Sequence, residues 1–287
     1  MTYSIVARDP ETGELGVAVQ THQPAVGAIV PWVKAGVGAV ATQSFANINF
    51  GPQLLALLET GLEAQDALTA VIAADSMPGR RQVAVIAANG ESATHTGDAC
   101  IPFAGHRAGP NYSVQSNMML TERVPAAMAA AFEASAGPLA SRLLVALQAA
   151  QTEGGDIRGC QSAAILVRGP GPLSSTWDLR IDNDAEPLRK LSELVDIRRA
   201  GILMAAPQDG SAQDIDLLFA RYEEAMLLAP SDEQTFWFGV RSLSAVGEVE
   251  RALAVLAPLF ARAPEWRELL HRLELPEAVA LKARVAR

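Results

Sequence analysis

The chain has 287 residues, 49% hydrophobic and 19% charged, which suits one large domain or two ordinary ones and excludes global disorder. A net charge of −9 leaves no basic stripe to neutralise phosphates, so no nucleic-acid partner is expected. The opening Met1-Thr2-Tyr3-Ser4-Ile5-Val6-Ala7-Arg8-Asp9 has no basic n-region, and every apolar run stops short of a membrane span. A cytoplasmic protein without membrane contact is the expectation.

Thr2 to Arg8 reads as a strand. It is followed by the turn Asp9-Pro10-Glu11-Thr12-Gly13-Glu14 and a second strand from Leu15 to about Gln20. A third strand is expected from about Val37 to Ser44. Gly51 to Ala74 has apolar residues at helical spacing with a break near Gly61, which predicts two helices. Arg81 to Ala87 and Glu91 to Thr96 form a predicted hairpin through Asn89-Gly90, and another strand is expected over Tyr112 to Met118. Helices follow from about Glu122 to Ala134 and Pro138 to Glu153. Gln161 to Arg168 and Thr176 to Asp182 close the series as strands. Strand blocks joined by hairpins suit antiparallel sheets, and two helix pairs can cover their outer faces. The expected fold is therefore α+β, a four-layer αββα sandwich over residues 1–184.

Residues 185–287 read as an all-α module. Ala206 to Ser211 looks like a loop between two of its helices. Pro230 and Pro264 lie 34 residues apart, the tetratricopeptide period. Phe236, Leu243, Gly247, Ala252, Leu256 and Leu259 fall where that repeat wants packing residues, while Val240 stands where it wants a small one. One good repeat is too little for a free solenoid, so packing on the first domain or on another subunit is expected, with the helical module as a route to a homo-oligomer.

Polar residues gather in Ala41-Thr42-Gln43-Ser44, His95-Thr96-Gly97, Gly105-His106, Tyr112-Ser113-Val114-Gln115-Ser116-Asn117 and Gly154-Gly155-Asp156-Ile157-Arg158-Gly159-Cys160-Gln161-Ser162. These segments, with the opening Thr2 to Asp9, resemble the bacterial domain of unknown function 1028 family from Thr2 to about Asp196. The resemblance implies an Ntn-hydrolase-like fold, in which an N-terminal Thr, Ser or Cys attacks a carbonyl. Relatives often carry a similar C-terminal extension, sometimes labelled peptidoglycan-binding.

Removal of Met1 would give Thr2 its own α-amine, with a reference pKa of about 7.7–8.0, able to act as base for the hydroxyl. The strand carrying Thr42, Gln43 and Ser44 reaches the nucleophile in the resembled fold. Its backbone N–H groups or the Gln43 amide would supply an oxyanion site, or else they satisfy a sheet edge. His95 on its hairpin strand and His106 in a Gly-rich loop either line the site or serve structure. Gln115 and Asn117 share a face at strand period and either orient a substrate or pair across the sheet. Asp156 and Arg158 either hold a loop or let Arg158 clamp a substrate carboxylate.

Cys100 and Cys160 lack ligand spacing and read as buried free thiols. With no HxH, HExxH, phosphate loop or GxSxG elbow, no metal and no cofactor is expected. The sequence thus points to a small-molecule amide hydrolase with Thr2, Gln43, Ser44 and His95 as catalytic residues. His106, Asn117, Asp156 and Arg158 would contact substrate. The alternative is a non-catalytic binding protein on the same scaffold.

Overall fold

The computed structural model describes residues 2–171, 176–205 and 215–286. It divides into two compact units, Met1–Ser192 and Glu193–Arg287, the division falling inside one helix. No helix among the described residues is long and apolar enough to cross a membrane.

The first unit holds two antiparallel sheets. The six-stranded sheet has the order β10-β9-β2-β1-β8-β7, built from β1 (Thr2–Arg8), β2 (Leu15–Thr21), β7 (Gly105–Gly109), β8 (Tyr112–Asn117), β9 (Ser162–Arg168) and β10 (Thr176–Ile181). The four-stranded sheet runs β3 (Pro31–Lys34), β4 (Gly38–Ser44), β5 (Arg81–Ala87), β6 (Ser92–Thr96). β1 sits inside its sheet, paired with β2 on one side and β8 on the other. The β1–β2 turn is closed by Asp9, whose Oδ1 accepts from the N–H groups of Glu11 and Thr12, with Gly13 at a φ of 71°.

The helices α1 (Phe50–Glu59) and α2 (Ala64–Ala73) lie against the four-stranded sheet. The pair α3 (Val124–Ala134) and α4 (Leu139–Thr152) lies against the six-stranded one. Leu54, Leu55, Leu58, Leu68 and Val71 pack onto Val40, Val83 and Val85 to form the core under the first pair. β1 and β2 also contact β4, and β5 contacts β8, so the two sheets meet face to face. Part of that meeting surface is apolar, through Val6, Val17, Val19, Ala39, Ala41, Ala84 and Ile86.

Two strands were not foreseen. β3 is only four residues and opens with Pro, too short for a period-two signal. Its Trp32 lies against Gly51, where an added Cβ would stand 2.2 Å from the ring. β7 is a Gly-flanked edge strand whose His106, Arg107 and Ala108 are exposed, so its pattern lacked an apolar face. His106 therefore sits on a strand and not in a Gly-rich loop.

The helix α5 (Pro187–Met204) runs across the division, and the second unit continues as α6 (Ile215–Leu228), α7 (Asp232–Trp237), α8 (Val249–Arg262), α9 (Glu265–Arg272) and α10 (Val279–Lys282). The loop expected at Ala206 to Ser211 lies outside the described residues. Between α7 and α8 the chain takes a π-helical turn over Phe238–Leu243, and Gly247 reverses it at a φ of 85°. Phe236, Leu243, Ala252, Leu256 and Leu259 are all fully buried. The wider turn places Gly239 rather than Val240 beneath Leu256, where a Cβ would come within 2.7 Å.

Candidate functional site

Strand ends converge around the first residue of β1. Thr2 pairs in register with Thr21 of β2 and Asn117 of β8, and its buried Oγ1 donates to Thr21 Oγ1 at 3.2 Å. Its carbonyl accepts from Gln43 Nε2 at 3.3 Å, a contact from the other sheet.

Behind Thr2 the inter-sheet space is filled by amides. Gln115 Nε2 donates to Ser4 Oγ at 2.5 Å, and Ser4 Oγ donates to Gln43 Oε1 at 2.7 Å. Gln43 Nε2 in turn donates to Gln82 Oε1 at 2.7 Å, and Asn117 Nδ2 donates to the same oxygen at 2.8 Å. Gln82 Nε2 donates to Ser116 O and Thr96 Oγ1, both at 2.9 Å, and to Gly105 O at 3.3 Å. Ser4, Gln43, Gln82, Gln115 and Asn117 are at most 1% exposed, so each unmade bond here would cost about 1–3 kcal/mol. The network reaches solvent through Thr96 Oγ1, which bonds His106 Nδ1 at 2.9 Å. Desolvation, then the nearby His95, holds the His106 pKa below the usual imidazole value.

The chain leaves two of these strand ends in the left-handed region without glycine. Ser44 ends β4 at a φ of 65°, and Met118 follows Asn117 at 59°. Such residues cost about 1–3 kcal/mol each and gather where surrounding structure over-determines them. Arg81 secures the loop beyond Ser44, donating to Phe45 O while paired with Asp75 at 2.9 Å. That guanidinium holds the Asp75 carboxyl below the usual range.

Of the residues expected from sequence, Thr2, Gln43 and Asn117 come together, with Ser44 at the rim and His106 at the outer end. His95 does not join them. Alternation along β6 turns Thr94 and Thr96 toward the six-stranded sheet, where Thr94 Oγ1 meets Ser113 Oγ at 2.6 Å. His95 points the other way, to Pro78 O at 2.9 Å. Gln43 spends its Nε2 on Thr2 O, Gln82 Oε1 and Gln115 O, which removes it as an oxyanion donor. Asp156 and Arg158 take the loop-holding role. Arg158 Nε and Nη2 grip the buried carboxylate at 3.0 and 2.7 Å, and Asp156 Oδ2 accepts from His22 N at 3.2 Å. The expected carboxylate clamp is therefore already engaged.

Gln82 was missed. Its signal was a lone amide in the apolar strand Arg81–Ala87, directly opposite Gln43 in the register. On the far face of β1, Tyr3 Oη donates to Gln151 Oε1 at 2.9 Å, and Cys160 Sγ donates to the same oxygen at 3.0 Å. Burial, then the Cys160 and Asp156 charges, pushes the Tyr3 hydroxyl well above its ordinary pKa. Cys160 is half-buried, contrary to expectation, whereas Cys100 is buried. No three His, Cys, Asp or Glu side chains among the described residues cluster as metal ligands.

The first unit is thus a mixed α/β fold in which two antiparallel sheets touch, helices contact each, and buried amides link them. The chain matches the family of unknown function DUF1028 over residues 2–191. It is 33% identical to a Silicibacter pomeroyi protein of that family with a crystal structure, over 68% of this chain and 87% of that one, at a TM-score of 0.63. The protein belongs to this family. A more distant likeness, 12% identical at a TM-score of 0.36, is to Anbu, the ancestral beta-subunit from Yersinia bercovieri, over 72% of this chain and 98% of that one. No curated protein matches the chain.

Proposed function

We propose that the N-terminal unit is a four-layer αββα sandwich of the Ntn-hydrolase kind, hydrolysing an amide or related C–N bond in a small molecule. Thr2, made the first residue by removal of Met1, is the nucleophile, and its α-amine is the base. One observation carries this reading: Thr2 opens an interior strand, its hydroxyl bonded to Thr21 and its carbonyl to Gln43. Strands on both sides hold it rigidly, as a nucleophile needs. With Gln43 committed, an oxyanion would be met by backbone N–H groups near Ser44. Arg158 is engaged by Asp156, so the substrate is taken to need no carboxylate clamp. The helical remainder is proposed as a tetratricopeptide-like module that supports self-association.

Intact mass spectrometry and a screen over amides, lactams and acyl amino acids test this. Thr2→Ala should abolish turnover with folding intact, Thr2→Ser should keep part of it, and Ser4→Ala should remain active. Active protein that retains Met1, or an active Thr2→Ala variant, would sink the proposal. The commitment of Gln43 to the network favours a second reading, a non-catalytic binding protein on this scaffold, which retained Met1 without turnover would support.

A further inference from the structure

The amide network leaves one oxygen over. Gln82 Nε2 faces the carbonyls of Gly105 and Ser116, which can only accept, so that end of Gln82 must be the nitrogen. Gln43 Nε2 likewise faces the carbonyls of Thr2 and Gln115. Gln82 Oε1 therefore receives Gln43 on one lone pair and must receive a donor from Asn117 on the other. This fixes the Asn117 amide with Nδ2 inward, independently of any assumed flip. Its Oδ1 is then turned away from the network. That oxygen is buried and has no donor among the described residues. Asn117 is 0% exposed and is the β8 partner of Thr2, its side chain on the same sheet face, while Thr21 engages the Thr2 hydroxyl from the β2 side.

We propose that Asn117 is a positioning residue whose Oδ1 accepts a hydrogen bond from the α-amine of Thr2 in the chain that begins there. The inference rests on the proposed removal of Met1. A rotatable amine with two or three N–H groups supplies the missing donor, and the bond turns the amine lone pair in a fixed direction relative to Oγ1. Among the described residues, the titratable and charged groups around this end of the sheets include His22 after β2, then Asp156, Arg158 and Cys160 before β9. Asp75 precedes β5 and Arg81 opens it, His95 and His106 lie on β6 and β7, and Tyr3 on the far face of β1. Asp156 with Arg158 and Asp75 with Arg81 are closed ion pairs.

The test uses the full chain. Competitive acetylation of the N-terminal amine with acetic anhydride is followed from about pH 6 to 9, across the usual α-amine range, by mass spectrometry of the N-terminal peptide. An acceptor favours the charged amine, so Asn117→Leu should move the midpoint to lower pH and Asn117→Asp should move it higher. Side-chain amide resonances of Asn117 in the unaltered protein should titrate through the α-amine midpoint, which covers the case of a variant that does not fold. An unmoved midpoint in both variants, a shift of both in one direction, or an Asn117 amide silent to pH would overturn the inference while leaving Thr2 as nucleophile. Retained Met1 would overturn both readings together.

Discussion

The two halves of the inter-sheet space are built on opposite principles. Around β2 and the distal part of β4 and β5 it is filled by Val17, Val19, Ala39, Ala41, Ala84 and Ile86, which need only fit. Around β8 and β6 it is filled by Ser113, Gln115, Asn117, Thr94, Gln43 and Gln82, each of which must find a partner in a particular direction. β1 crosses the boundary, with Val6 on the apolar side and Ser4 and Thr2 on the polar side. Apolar packing would hold the sheets together at less risk, because a half-satisfied network is worse than none. The polar half follows β8 from Ser113, opposite Val6, to Asn117, opposite Thr2, and its amides lie toward the Thr2 end. The difference separates a part of the interface that holds the fold from a part that sets directions.

The comparison can be broken by substitutions on either side. Ile86→Ala in the apolar half should cost about 2–5 kcal/mol in chemical denaturation, yet leave the pH profile of N-terminal acetylation where it was. Gln82→Leu should cost about 2–4 kcal/mol, because it strips partners from Gln43 and Asn117 at once, and should shift that profile. Equal behaviour of the two variants in the acetylation assay would erase the distinction. Ser4→Ala should cost about 2 kcal/mol, since it unties one bond to Gln43 and one from Gln115 but leaves the Gln82 hub intact.

The smallest effect is one of pH. The fold favours neutral His106, so between the ordinary imidazole pKa of about 6.5 and its lower folded value the unfolded chain binds more protons. Stability should therefore fall as pH drops through that window. The denaturation midpoint of His106→Gln should fall less over the same range. An identical pH dependence in the two proteins would mean that the imidazole at the network's outer end is not coupled to the fold.

Much of the first unit could be read from sequence because its signals are local. Asp9 to Gly13 encodes its own turn, and Gly61 interrupts two helical patterns at the observed break. Gln115 and Asn117 could be placed on one face because two residues separate like faces of any strand. What failed was information held between strands. Gln82 acquires its meaning only opposite Gln43, a pairing set by how β4 and β5 align. His95 was placed in the site because nothing local says which face of a short hairpin strand meets the other sheet; Thr94 and Thr96 took that face. In the second unit, the π-helical turn puts Gly239 under Leu256, a contact between elements that a repeat pattern does not encode.

The chain of donors running from Gln115 through Ser4 and Gln43 to Gln82 is made wholly of amides and one hydroxyl. None of these groups gains or loses a proton near neutrality. The wall behind Thr2 is thus an electrical insulator with a built-in polarity, keeping the same sign and orientation whether the surrounding solution is mildly acidic or mildly alkaline. Any acid–base response at the start of β1 must then originate in the terminus itself or arrive from outside the wall, as a reading taken against a fixed background.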